Sequence, residues 1–233
     1  MLRIFIGYDP AETVAYHVLC HSILRHSSIP VSFTPINKRN IPEFDRGLED
    51  GSTEFSFSRF LTPYLAGYTG HALFMDCDML VTGDIADILK GVRLDKDVYV
   101  VKHDYKPKPG IKFLGNTQHA YPKKNWSSVM LFNCYTSPCK SLRPDVVNTA
   151  TGKYLHQFEW TDELRIGALG PEWNHLVGEY EPNPDAKIVH FTLGTPCFDG
   201  YEDQEWAHEW FKECDLMLQS KTKSYPMRVK LGC

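Results

Sequence analysis

Two carboxylates two residues apart, Asp76 and Asp78, close an apolar run, ALFMD over residues 72–76. In extended chain, residues two apart point to the same side. Two acids aimed at one spot repel, and near a dry core neither is easily left unpaired. A divalent cation resolves that conflict. Magnesium or manganese suits carboxylate oxygen and keeps positions open for phosphate. A metal-held diphosphate is also a better leaving group, because the metal takes up its developing charge. A structural arrangement fits the bare pair as well, with Asp78 capping a turn and Asp76 paired to a base. The context favours the metal, because VTGDI follows and sets the acids at a switch from strand to helix.

The elements that would position these acids read as follows. LRIFIGY (2–8) has the pattern of a buried strand, and VSFTPI (31–36) of a second. Between them Asp9 can cap a helix, Pro10 suits its first position and Glu12 completes a capping box. Val14, Val18, Leu19 and Ile23 recur at helical spacing. Residues 37–54 read as a loop. A helix carrying Phe57, Phe60, Leu61, Tyr64 and Leu65 follows and ends near Gly67. After the acids, Asp84 can cap a short helix. DVYVV (97–101), SVMLF (128–132) and KIVHF (187–191) are further strands. Residues 103–124 lack periodicity and have the length of a binding loop or lid. Trp206, Trp210, Cys214 and Met217 share one side of a C-terminal helix.

Strands alternating with helices predict an α/β fold with a mixed, mostly parallel sheet flanked by helices. Ligands in such folds bind outside the carboxyl ends of strands. That rule gathers Gly7-Tyr8-Asp9, Asp76-Cys77-Asp78 and the segment after His190 into one candidate site.

Composition removes several classes. The chain has 233 residues, enough for one sizeable core, and 25 basic against 29 acidic side chains give a formal charge of −4. A nucleic-acid binder usually shows a basic excess, so no nucleic-acid partner is expected. No apolar stretch approaches the ~20 residues of a transmembrane helix, and MLRIFIGYDP is too short for a signal peptide. Seven scattered cysteines without a CxxC pair suggest a reduced, cytoplasmic chain. Lys221, Lys223, Arg228 and Lys230 give the tail a basic character, read as a solvated end or a peripheral membrane contact.

SRFLTPYLAGYTGHALFMDCDMLVTGDIADIL (58–89) resembles the core of family 8-type glycosyltransferases of the GT-A fold. Those proteins carry an Arg on a helix, an apolar strand, then D-x-D followed by a "v.gdi..L" pattern. IFIGYD resembles their first strand and NWSSVMLFN (125–133) the strand after their donor-sugar loop. TDELRIGALGPEWN (161–174) resembles their D-Q-D…lp..wN segment, and HFTLGTP (190–196) their late H-x-x-G motif. The matches run in order over roughly residues 2–200.

The resemblance implies a Rossmann-type, GT-A-like single domain over 1–233, with the C-terminal helix and tail at about 204–233. It implies a hexosyltransferase-type enzyme that uses manganese or magnesium, takes a UDP-sugar rather than a GDP-sugar, and retains anomeric configuration. Asp76, Asp78 and His190 would hold the metal. Gly7, Tyr8 and Asp9 would contact the nucleotide, and Arg59 the donor sugar or phosphates. Cys77, Ser127, Ser128 and Gly194 would line the donor, and Asp162 and Glu163 would lie near the sugar and acceptor as catalytic candidates. The acceptor, a glycan, a lipid-linked sugar or a protein, stays open.

Two segments depart from that pattern: Trp126-Ser127-Ser128 replaces an Asn-Ala-Gly type sequence, and the late motif has one extra residue before Gly194, with Thr195-Pro196 in place of Lys-Pro-Trp. A cation from residues 102–124 is the expected substitute at the diphosphate. The rivals are a non-catalytic nucleotide- or glycan-binding module of the same fold and a sugar nucleotidyltransferase. The latter needs a Gly-rich phosphate loop that Gly7-Tyr8-Asp9-Pro10 does not supply. A metal-dependent hydrolase would need further His and Asp clusters.

Overall fold

The computed structural model describes residues 1–47, 53–104 and 121–219. The basic tail and most of the loop at 103–124 therefore lie outside the described residues. The chain opens with β1 (Leu2–Gly7), a 3-10 turn over Pro10–Glu12, α1 (Thr13–His26) and β2 (Val31–Ile36). A 3-10 turn at Ser58–Leu61 runs into α2 (Thr62–Leu65), where one longer helix was expected. Then come β3 (His71–Met75), β4 (Met79–Val81) and β5 (Val98–Val101). β6 (Val129–Asn133) is followed by three short helices, α3 (Ser137–Ser141), α4 (Pro144–Thr149) and α5 (Gly152–His156). β7 (Ile166–Leu169), β8 (His175–Leu176), β9 (Ile188–His190) and α6 (Ala207–Leu218) complete the order.

Six strands form the main sheet in the order β2-β1-β3-β6-β5-β7. β6 runs against its neighbours β3 and β5, and the other pairs are parallel. The sheet is thus mixed and mostly parallel, as expected. β1, β3 and β6 are apolar almost throughout because helices and turns cover both faces, which removes the period-two alternation of a half-exposed strand. Ile4, Ile6, Leu73, Phe74, Leu131 and Phe132 are among the buried side chains of this core.

A second sheet, β4-β9-β8, has its own apolar cluster of Val18, Leu80, Val189, Phe191 and Trp210. The stripe of Trp206, Cys214 and Met217 packs on it, as its helical spacing predicts. α1 joins the two cores: Val18 belongs to the small cluster, Leu19 and Ile23 to the large one, and Val14 is exposed. α6 is fastened to α1 by buried Glu213, whose carboxylate lies 2.6 Å from His21 Nδ1 and 2.9 Å from Arg25 Nε.

Candidate functional site

Asp76, Cys77 and Asp78 are the short bridge between β3 and β4, so the chain leaves one sheet and enters the other within three residues. Backbone bonds pin both ends. Asp76 N donates to Ser128 O at 3.0 Å, beside the β3–β6 ladder, and Phe191 N donates to Asp78 O at 2.9 Å, beside β4–β9. The chain bends at Cys77 and Asp78, with Cys77 fully buried and the two acids flanking it partly exposed. His190 ends β9 directly opposite Met79. Its Nε2 lies 3.3 Å from Asp78 Oδ1. One ligand atom from each of Asp76, Asp78 and His190 falls within 4.8 Å of the others.

Burial pushes the Asp76 carboxyl up to about 6, against the pull of the Arg59 guanidinium and with the push of Asp78. Arg59 is itself buried. Its NH1 donates to Ser127 O at 3.0 Å and approaches Asp76 Oδ1 to 2.8 Å, outside hydrogen-bond geometry. Its guanidinium carbon sits 5.2 Å from the ring centres of both Phe55 and Phe74. Asp76 Oδ1 has no hydrogen-bond partner among the described residues. Two carboxylates and an imidazole gathered at one point fit a divalent cation that prefers oxygen and nitrogen. These three side chains could hold a metal.

Glu12 lies beneath this cluster, although its spacing marks it only as a capping residue. It does not close a capping box. Its carboxyl turns inward and accepts from Cys77 Sγ at 3.4 Å. Burial, then the charge of Asp78, pushes it up to about 8, and the Cys77 thiol is pushed well up by its own burial. A second unmarked residue is Asn174, fully buried, whose Oδ1 lies 3.0 Å from His190 Nδ1. It ends the motif-like segment 161–174, where local spacing gives it no role.

The other expected site residues divide. Asp9 caps the 3-10 turn through Ala11 N at 3.0 Å and also accepts from Glu54 N at 3.2 Å. Tyr8 OH lies 3.2 Å from Thr13 Oγ1. At Gly7 a Cβ would meet the Phe55 ring at 2.3 Å, and at Gly194 it would meet Tyr201 at 2.8 Å. Packing against an aromatic ring thus accounts for both glycines. Ser127 Oγ lies 2.9 Å from His156 Nδ1, and Ser128 Oγ donates to Asn125 O at 2.7 Å. Both hydroxyls have partners within the protein. Asp162 caps the turn before β7 by accepting from Leu164 N at 2.8 Å. Glu163 is exposed and pairs with Lys123, so neither acid joins the three-residue cluster. Lys102, Lys123 and Lys124 are the described lysines of the 102–124 segment, and Lys124 is buried.

The chain is 45% identical to Protein CDI of Arabidopsis thaliana over 223 residues, which cover 91% of this chain and 86% of that one. It belongs to the Protein CDI family. No family model matches it. The fold is that of solved glycosyltransferases. The glycosyltransferase GlyE of Streptococcus pneumoniae TIGR4 superposes over 94% of this chain, with a TM-score of 0.61 and 15% identity. This chain spans 63% of the length of GlyE. The galactosyltransferase LgtC, solved with donor and acceptor sugar analogues, matches over 97% of this chain and 98% of its own. Its TM-score is 0.57 and its identity 10%. Mouse xyloside xylosyltransferase 1 covers 84% of this chain and 99% of its own, with a TM-score of 0.52 and 13% identity. The architecture is therefore GT-A-like. Among the described residues no helix is long and apolar enough to cross a membrane.

Proposed function

We propose that the chain is a metal-dependent glycosyltransferase that moves a sugar from a nucleoside-diphosphate sugar to an acceptor, within one GT-A-like domain. The observation that carries this reading is the convergence of Asp76, Asp78 and His190 at the end of β3 in that architecture. The reading takes manganese or magnesium as the cation, a UDP-sugar as the donor and retention as the stereochemical course. Held by Asp76, Asp78 and His190, such a cation would offset the charge that develops on a departing diphosphate.

The chain's own residues then have distinct work. Asp76 and Asp78 give a fixed pair of oxygens, because backbone ladders on both sides hold their Cα atoms. Arg59 steadies Asp76 in its ionised form. Gly7, Tyr8 and Asp9 stand at the end of β1, beside β3, where a nucleotide would lie against the sheet. Buried Lys124 is the proposed cation for the diphosphate in place of the missing Lys-Pro-Trp. Asp162 and Glu163 remain candidates on the acceptor side.

A binding module without turnover is favoured by one observation, the engagement of Ser127 and Ser128 hydroxyls inside the protein. Nucleotide-diphosphate binding by calorimetry, with and without manganese, tests the site. Asp78→Ala is expected to remove the metal dependence, and an unchanged dependence would sink the assignment. Release of nucleoside diphosphate from a panel of donors then separates an enzyme from a binding module.

A further inference from the structure

We infer that Asn174 is the positioning residue that fixes the proton of His190 on Nδ1 and so turns Nε2 toward the metal as a lone pair. This builds on the metal reading of Asp76, Asp78 and His190 for its purpose. The hydrogen-bond argument stands apart from it.

The Asn125 carbonyl sets the orientation of the Asn174 amide. Its Nδ2 lies 3.3 Å from Asn125 O and 2.8 Å from Ser128 Oγ. Asn125 O only accepts, so the nitrogen, not the oxygen, must face it. Ser128 Oγ already donates its proton to that same carbonyl, which leaves it an acceptor toward Asn174. A flipped amide would set Oδ1 against the Asn125 carbonyl. With Nδ2 fixed, Oδ1 is the atom 3.0 Å from His190 Nδ1. An amide oxygen cannot donate, so Nδ1 carries the proton.

His103 supports the same direction from behind. Its Nε2 is 3.0 Å from Asn174 Nδ2, whose two hydrogens serve three acceptors, one hydrogen being shared between Asn125 O and Ser128 Oγ, and its Nδ1 is 3.0 Å from Tyr180 OH. An imidazole that accepts on Nε2 holds its proton on Nδ1, facing the tyrosine. Trp126 Nε1 donates to the His103 carbonyl at 2.8 Å and ties the segment before β6 into this wall. Asn174 is fully buried, with His103 and Ser128 also buried beside it, so solvent does not compete for these bonds.

The consequence falls at the other ring nitrogen. With Nδ1–H committed, His190 Nε2 faces Asp78 Oδ1 at 3.3 Å as one acceptor against another. Together with Asp76, the three groups bring acceptor atoms to one point, which a cation would complete. Without Asn174 the ring proton would move to Nε2, where the Asp78 carboxylate accepts it, and the ligand lone pair would be lost. Residues that orient a metal-bound histidine in this way typically change metal affinity about 10- to 100-fold when removed.

The test reads nitrogen-15 shifts of His190 in metal-free and magnesium-loaded protein above the histidine range. In the wild type Nδ1 is expected to be protonated in both states. In Asn174→Leu, which has no acceptor, the proton is expected on Nε2 in the metal-free protein. Manganese affinity, measured by paramagnetic resonance without nucleotide, should fall about 10- to 100-fold in this variant. Asn174→Asp keeps an acceptor oxygen and should keep both the Nδ1 proton and most of the affinity. A wild-type Nε2–H ring in the metal-free protein overturns the inference without any variant. Equal affinity losses in two folded variants, or none in either, overturn it too. Should the wild type bind no manganese, the metal reading fails, while the proton position is still decided by the spectra.

Discussion

Glu12→Gln should stabilise the metal-free protein, and by an amount that grows with pH. Burial and then Asp78 raise the Glu12 carboxyl from 4.5 to about 8, with Asp9 and Asp76 adding to the push and the Cys77 thiol opposing it. A raised folded-state value means that the folded chain keeps a proton which the unfolded chain has released. Stability from this group is fully present below about 4.5, is lost as pH rises, and levels off above about 8. At about 1.4 kcal/mol per unit, the loss is about 3 kcal/mol at neutral pH and about 5 kcal/mol beyond the upper value. Glutamine has the same shape and no charge to bury, so it escapes the whole of this loss. Its amide brings two hydrogens into that site, and a donor left unsatisfied there costs about 1–3 kcal/mol. That offset is constant with pH, so the slope carries the information and the absolute gap does not. Urea unfolding of both proteins in chelator between about pH 5 and 9 measures it. The gap should widen steadily and flatten above about pH 8. A gap that stays constant across that range would refute the claim that Glu12 is buried as a neutral acid beside Asp78.

Two further outcomes follow from the same region. Manganese affinity should fall as pH drops through about 6, because a proton on Asp76 competes with the metal; calorimetry below that point should show about a tenfold loss per unit, and a flat profile would remove Asp76 from the ligand set. Gly7→Ala should destabilise by about 1–3 kcal/mol through the clash of its Cβ with the Phe55 ring. Phe55→Leu should recover part of that loss in thermal melts, and no recovery would mean that Gly7 serves some other close approach.

What could be read from the sequence followed from periodicity and strand ends. The apolar runs at 2–7, 72–75 and 129–132 are buried on both faces, so they announce strands with little ambiguity. The acid pair and His190 were legible because each stands at the end of such a run. The small sheet was not legible. β4 and β8 are three and two residues long, too short for any period to develop, and exist because β9 pairs with them. β7, IGAL, contains a glycine under the Tyr99 ring, and a Cβ there would lie 2.3 Å from it. Its strand form comes from pairing with β5. Glu12 and Asn174 were missed for a related reason. Glu12 has the spacing of a capping residue, and only the depth of Cys77 beneath the acids turns it inward. Asn174 joins His190 across sixteen positions and reaches His103 across seventy-one, separations that no local pattern encodes.

The two acids owe their placement to a change of sheet. Asp76 hangs on the rigid main sheet through Ser128 O, while Asp78 hangs on the small one through Phe191 N. A continuous strand would also aim residues two apart to one side, but β6 or β9 alone would then have to flank both. Here each acid has its own neighbour, and each neighbour brings something to the site. β6 is preceded by Ser127 and Ser128, which hold Arg59 and Asn174, and β9 ends in His190. The three acceptors thus come from two separately packed cores that meet across Cys77. Glu12 answers the same constraint from below. Cys77 turns inward between two charges, and its thiol meets a carboxyl that stays neutral because it is buried and because those charges stand above it. A cation at this point would join the two sheets, one acid from each, where Arg59 already pairs with Asp76.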